Sequence, residues 1–278
     1  MSRPRLGPAL SATIVTSDLD HSTAAYAQHL GQRVLCEGHL DDAAAAALGW
    51  PSLAGNRETW MGNALEEPWL RFIEAPDAET LQPFTRYGWL SLEISVQDCD
   101  ALGEALVDSP FEIIGPPADL AMSDAIRAMQ VVGPSGEVLY LTEIKRPVPP
   151  FELPTARCPV DRLFIPVMLC PDRDAALAHY ASLSGNDGLT FDTKITVINR
   201  AHGLPIDTQH PVSTIQLEGN TLIEMDQVPG LQPVPFNGAE PTTGIALVHF
   251  DHPDAGGLSQ GAAGERIELI QPKRGNPS

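Results

Sequence analysis

The side chains best suited to chemistry sit on three short stretches that alternate apolar and polar residues. "WLRFIEA" (69–75) carries Arg71, "SLEISV" (91–96) carries Glu93, and "VLYLTEI" (138–144) carries Tyr140 and Thr142. A period of two marks a strand with one face in the core. It places Trp69, Arg71 and Ile73 on one face of the first stretch. Ser91, Glu93 and Ser95 share a face of the second, and Val138, Tyr140 and Thr142 a face of the third. A guanidinium holds a carboxylate through two parallel hydrogen bonds. A phenol can donate to a developing oxyanion, and a carboxylate whose pKa is raised by burial can remove a proton. Arg71, Glu93 and Tyr140 are therefore the catalytic candidates, and the ligand they suit is a small acid with an aromatic body. Arg71 has two open partners, Glu93 or such a ligand. Tyr140 can equally be a core aromatic with a satisfied hydroxyl. Other chemistries find no footing. The eight histidines form no Ser-His-Asp or HxxxH pattern, "GPSGE" (133–137) is not a nucleophile elbow, and no phosphate-binding glycine loop is present. His21, His29 and His179 fall on helical stretches as surface residues.

These strands belong to a repeated layout. "TSDLDHSTAAYAQHLG" (16–31), "VQDCDALGEALVDSP" (96–110) and "CPDRDAALAHYASLSG" (170–185) each join an Asp-x-Asp pair to a short amphipathic helix. Asp18, Asp98 and Asp172 are placed to cap those helices, and Gly31 and Gly185 to stop two of them. A strand precedes each cap, at 11–16, 91–96 and 165–170. Further strands are predicted at 69–75, 128–133, 138–144, 194–200, 213–219, 221–226, 244–250 and 266–271. Strand, helix, then a run of strands is an α+β unit, repeated. The closing stretches match too. Gly133, Gly136 and Glu137 recur as Gly261, Gly264 and Glu265, while Tyr140 stands where the later copy has Glu268. The fourth copy is truncated, with a glycine-rich loop at 251–264 in place of a helix.

Composition narrows the partners. Lys+Arg 17 against Asp+Glu 36 leaves a net charge of −19, which repels nucleic acid and anionic membranes. No apolar run reaches the length of a membrane span, and the N-terminus lacks the pattern of a signal peptide. Cys36, Cys99, Cys158 and Cys170 show no CxxC spacing and read as reduced thiols, so a cytoplasmic location is expected. A homodimer is left open. The proline-rich stretch 145–159 reads as a connector. It divides the chain into an N-terminal paired-module domain (1–145), a linker (146–159) and a C-terminal domain with a shortened last module (160–278).

The repeated βαβββ unit, with "YGWLSLEISVQD" and "VVGPSGEVLYLTE" as opening and closing of one copy, resembles the vicinal oxygen chelate superfamily of glyoxalases, bleomycin-resistance proteins and extradiol dioxygenases. The resemblance implies an α+β fold of tandem modules paired into two cup-like half-barrel domains, here with the fourth module truncated. It also implies a divalent metal in a cup, held by a His from a first strand and a Glu from a last strand. Seven residues before each capping Asp stand Ser11, Ser91 and Ile165, with Gly244 in the fourth copy. The Glu positions are Arg71, Tyr140, Glu224 and Glu268. Ser11, Arg71, Ser91 and Tyr140 are not normal ligands for a divalent cation, so neither a metal nor another cofactor is expected in the N-terminal cup. Glu224 and Glu268 remain as a weak alternative metal pair, because His249 alternates onto the face opposite Gly244. Ser11, Trp60, Trp69, Ser91 and Thr142 complete the expected ligand-contacting set. The stretch 40–60 should form a helix that brings Trp50 and Trp60 over the cup, as a lid or as a packing insert. The expected function is a metal-independent lyase or isomerase acting on a small aromatic or oxygenated organic acid in the N-terminal cup. The alternatives are a sequestering binding protein of the bleomycin-resistance kind, or a metal-dependent dioxygenase or glyoxalase-like enzyme using the C-terminal glutamates.

Overall fold

The computed structural model describes residues 5–121, 123–234, 240–254 and 256–271. Four modules follow one another along the chain. The first comprises β1 (Ala9–Thr16), α1 (Leu19–Leu30), β2 (Arg33–His39), α2 (Asp42–Ala47), β3 (Arg57–Gly62) and β4 (Pro68–Glu74). The second runs through β5 (Gly88–Val96), α3 (Cys99–Ala105), β6 (Glu112–Leu120), β7 (Ser123–Val132) and β8 (Val138–Ile144). The third holds β9 (Val160–Cys170), α4 (Arg173–Ser184), β10 (Leu189–Lys194), α5 (Thr196–Ala201), β11 (Gln209–Gln216) and β12 (Leu222–Gln227). The fourth has strands alone: β13 (Gly244–Asp251), β14 (Gly257–Gln260) and β15 (Arg266–Ile270).

The caps work as their chemistry requires. The Asp18, Asp98 and Asp172 carboxylates accept from the backbone N–H of His21, Ala101 and Ala175 at 2.9, 2.9 and 3.0 Å. Gly31 and Gly185 end α1 and α4 in the left-handed conformation. The stretch 194–200, expected as a strand, instead turns into α5. Its β-branched Val197 and Ile198 are buried, and Asn199 donates to the carbonyls of Ile206 and Thr208, which folds the segment back. Packing has overridden strand propensity there.

Two sheets result, in strand orders β14-β15-β13-β1-β4-β3-β2 and β10-β11-β12-β9-β5-β8-β7-β6. Each curls into a half-barrel. The seams are antiparallel: β1 joins β13 in one sheet, and β5 joins β9 in the other. The expectation that neighbouring modules share a cup is therefore corrected. The first module pairs with the fourth, and the second with the third, so both halves of the chain build each sheet. We name these cup A (modules one and four) and cup B (modules two and three). One core joins the two sheets, with Phe72, Val248 and Phe250 from one and Leu92, Leu141 and Met225 from the other.

A repeated clasp links the remaining pairs. Tyr26 of α1 donates to the buried Glu137 before β8 at 2.7 Å, and Tyr180 of α4 donates to the buried Glu265 before β15 at 2.5 Å. Each glutamate also accepts the backbone N–H two residues earlier, Ser135 and Ala263. Burial lifts the Glu137 carboxyl to about 7.

Candidate functional site

The parallel pairings that close each module set the inward-facing residues side by side. Thr13 pairs with Arg71, Glu93 with Tyr140, Val167 with Glu224, and His249 with Glu268. These registers lie two residues beyond Ser11, Ser91 and Ile165. In the fourth module the parity itself changes. Thr13 faces Leu247 and Ile14 faces Ile245, which leaves Ala246 as an extra residue in β13. A one-residue bulge flips every side chain beyond it. His249 therefore points into cup A, against the alternation counted from Gly244.

Cup A is a closed polar array. Arg71 is held by Glu58 of β3 through its Nε at 2.8 Å and through a terminal nitrogen, and its guanidinium carbon lies 5.5 Å from the Trp60 ring centroid. His249 Nε2 lies 2.8 Å from the Thr13 hydroxyl, and its Nδ1 lies 2.8 Å from Glu268. The histidine bond, together with the Arg71 charge, holds the Glu268 carboxyl below its ordinary range. Ser11 is buried on the same strand as Thr13. Trp69, expected to touch ligand, is instead buried in the core with its indole N–H donating to Gln32 at 2.7 Å. The 40–60 insert acts as packing: Leu40, Leu48, Trp50 and Leu53 bury against Val15, Ile73 and Leu247. Glu58 escaped the sequence reading, and plain alternation puts His249 on the wrong face of its strand. The "RETWMG" strand lacks alternation, and the bulge hides the histidine.

Cup B holds a cavity of about 640 Å³. Glu93, Tyr140, Thr142 and Glu224 reach it from β5, β8 and β12, with Thr214 from β11. Thr142 donates to Glu93 at 3.1 Å. The hydroxyls of Tyr140, Ser91 and Thr214 are buried and make no hydrogen bond of ordinary length among the described residues. Burial pushes Glu93 well above the usual carboxyl range, and the neighbouring Glu224 adds to the rise. Burial raises Glu224 to about 7. Asp226, two residues on and fully buried, is driven up by burial and by both glutamates. Burial and these carboxyls keep the Tyr140 phenol protonated. The two carboxyls line one cavity and interact electrostatically, so the charge of one raises the proton affinity of the other. The walls are apolar, with Phe164, Phe191, Ile195 and Leu222 among them, and the connector adds Pro147, Phe151 and Leu153 over the mouth.

Of the predicted site residues, cup B gathers Glu93, Tyr140, Ser91 and Thr142, while cup A holds Arg71, Ser11 and Trp60. The expected joint work of Arg71 with Glu93 and Tyr140 does not survive, because Arg71 lies in the other sheet with Glu58 as its partner. Glu224 and Glu268 are separated in the same way and cannot share one ion.

No protein-family model matches the sequence. No curated protein matches it either. Solved structures do. Glyoxalase I from Zea mays superposes at a TM-score of 0.61 with 13% identity, over 95% of this chain and 92% of that one. A Bacillus subtilis protein described provisionally as a dioxygenase gives a TM-score of 0.59 with 11% identity, over 89% of this chain and 70% of that one. The chain has the vicinal oxygen chelate fold. In this fold a divalent metal is the expected tenant of a cup, and the donor sets here do not fit one. In cup A both imidazole nitrogens are engaged, and a guanidinium stands at the facing position. Cup B offers Glu93 and Glu224 with a phenol and Val167, and no histidine. Among the described residues no group of three His, Cys, Asp or Glu is arranged to hold a metal ion.

Proposed function

We propose that cup B is a metal-independent small-molecule site that moves protons on an oxygenated substrate, as an isomerase or lyase does. The observation that carries this reading is the pair of carboxyls, Glu93 and Glu224, facing one largely apolar cavity, both with raised affinity for protons. Glu224, raised to about 7, is assigned the general base, and Glu93, held well above the ordinary carboxyl range and hydrogen-bonded by Thr142, the general acid. Tyr140, kept protonated and with only the Ser91 hydroxyl near its own, is placed to donate to an oxyanion that develops on the substrate. Thr214 adds a further polar contact. Arg71 takes no part here, so the acid anchor once expected of it falls away.

The test begins with carbonyl compounds that raise the melting temperature. Each is incubated with the protein in D2O, and deuterium entry next to the carbonyl is followed by NMR. Exchange catalysed by the wild type and reduced by a factor of about 100 or more in Glu224→Gln, with ligand stabilisation kept, is the expected result. A second reading, a sequestering protein, is favoured by the apolar cover that 147–153 lays over the cavity. Ligands that stabilise the protein yet never exchange would select it.

A further inference from the structure

Cup B is acidic at its floor, and no buried cation is among the described residues that line it. Glu93 and Glu224 enter the cavity from opposite sides of the β5–β9 seam, with Asp226 behind them. Among the described residues lining the cavity the cations are Arg146 and Lys194, both on the rim. Arg146 is paired with Asp124, and Lys194 lies 3.4 Å from Asp207. Neither reaches the floor carboxyls as a partner in the structure. Two further hydroxyls line the same space, that of Thr214 and that of Tyr140, which has only Ser91 near it. Tyr140 is 8% exposed and Thr214 4%, and neither hydroxyl makes a hydrogen bond of ordinary length. Buried polar groups left open in this way point to a missing partner that donates hydrogen bonds, since carboxylates and a phenol oxygen all accept them. Phe151, Phe164 and Phe191 supply apolar and aromatic wall around that space. The net charge of −19 adds a long-range field that draws cations and repels anions.

We infer that the ligand of cup B is a small organic cation, a protonated amine with N–H groups on an apolar body. The cationic head sits between Glu93 and Glu224, within reach of Tyr140 and Thr214, and the body lies along the phenylalanines. One positive charge neutralises the charge of a carboxyl pair that retains one proton, and aromatic faces tolerate the cation at close range. An anionic ligand of the same shape would meet two carboxyls and no buried cation. This inference rests on the reading of cup B as a small-molecule site and names the class of molecule it takes.

Three probes of one shape separate the possibilities: 3-phenylpropylamine, 3-phenylpropan-1-ol and 3-phenylpropionate, titrated by calorimetry into the full chain at pH 8. The amine should bind at least tenfold more tightly than the alcohol, and the propionate more weakly than either. In the double variant Glu93→Gln, Glu224→Gln the amine should lose its advantage while the alcohol keeps its affinity. Equal binding of amine and alcohol to the wild type overturns the cation and leaves the cavity as a site for neutral molecules. An advantage for the amine that persists in the double variant also overturns it. Absence of binding by all three removes the cation and the small-molecule reading together. The wild-type comparison needs no variant to fold.

Discussion

The Arg71–Glu58 pair is nearly closed to solvent, with side chains 10% and 19% exposed. Removing one partner of such a pair strands a charge, which is the costly outcome. Arg71→Ala should therefore lower stability by about 2–4 kcal/mol in urea melts, and adding Glu58→Ala should recover part of it. Adding Glu93→Ala should recover nothing, and ligand affinity in cup B should stay unchanged. Recovery through Glu93 would contradict the placement of Arg71 in the other cup. The buried carboxyls carry a second consequence. Glu137 and Glu224 are raised from 4.5 to about 7, and Glu93 is raised well above its ordinary range. Each binds its proton more tightly folded than unfolded, so Glu137 and Glu224 contribute stability that is fully present below about 4.5 and is lost as pH climbs through about 7. The loss per group is at most about 3 kcal/mol. Melts recorded from pH 4.5 to 8 should show falling stability, and Glu224→Gln should flatten the slope. A wild-type profile that rises across this window would refute the assignment.

At the scale of elements, the turns before β8 and β15 are shaped by the glutamates they bury. A Cβ on Gly133 would lie 2.0 Å from Glu137 Oε1, and one on Gly261 1.8 Å from Glu265 Oε1. The glycines make room for a carboxylate that must reach a helix tyrosine. Gly133→Ala should cost about 1–3 kcal/mol by moving Glu137, and Tyr26→Phe about 1–2 kcal/mol by leaving that carboxylate short of a donor. The two changes touch one bond, so the double variant should fall short of their sum. Additive losses in denaturant melts would mean that the turn and the helix are independent.

Across the whole molecule the four modules form a ring. Sheet seams join one to four and two to three, and the Tyr26–Glu137 and Tyr180–Glu265 clasps join one to two and three to four. A cut in the 145–159 connector opens the chain without opening either sheet. Protease nicking there should leave one species on size exclusion. Residues 1–145 expressed alone should not fold, because β1 and β5 lose the partners β13 and β9. A folded, monomeric N-terminal fragment would refute this. Since 147–153 also covers cup B, nicking should weaken binding in that cavity while the fold persists.

The repeats, the helix caps and the inward faces of most strands were legible in the residues, because each depends on chemistry within a few positions of the chain. Glu93, Tyr140 and Thr142 were read as one face for the same reason, and β5 and β8 are neighbours in register. Glu224 could be seen as an inward carboxyl, but its company could not. Which module shares a sheet with which is a competition between edges that present the same backbone groups, and no local period reports its outcome. That pairing took Arg71 away from Glu93, gave it Glu58, and set Glu224 across from Glu93 instead. A single extra residue in β13 reversed the face of His249, and α5 formed where strand propensity was strong. The sequence by itself determined the modules and their acidic, polar inner faces. Only the tertiary structure decided which faces meet, because strand pairing is set by contacts far apart in the chain.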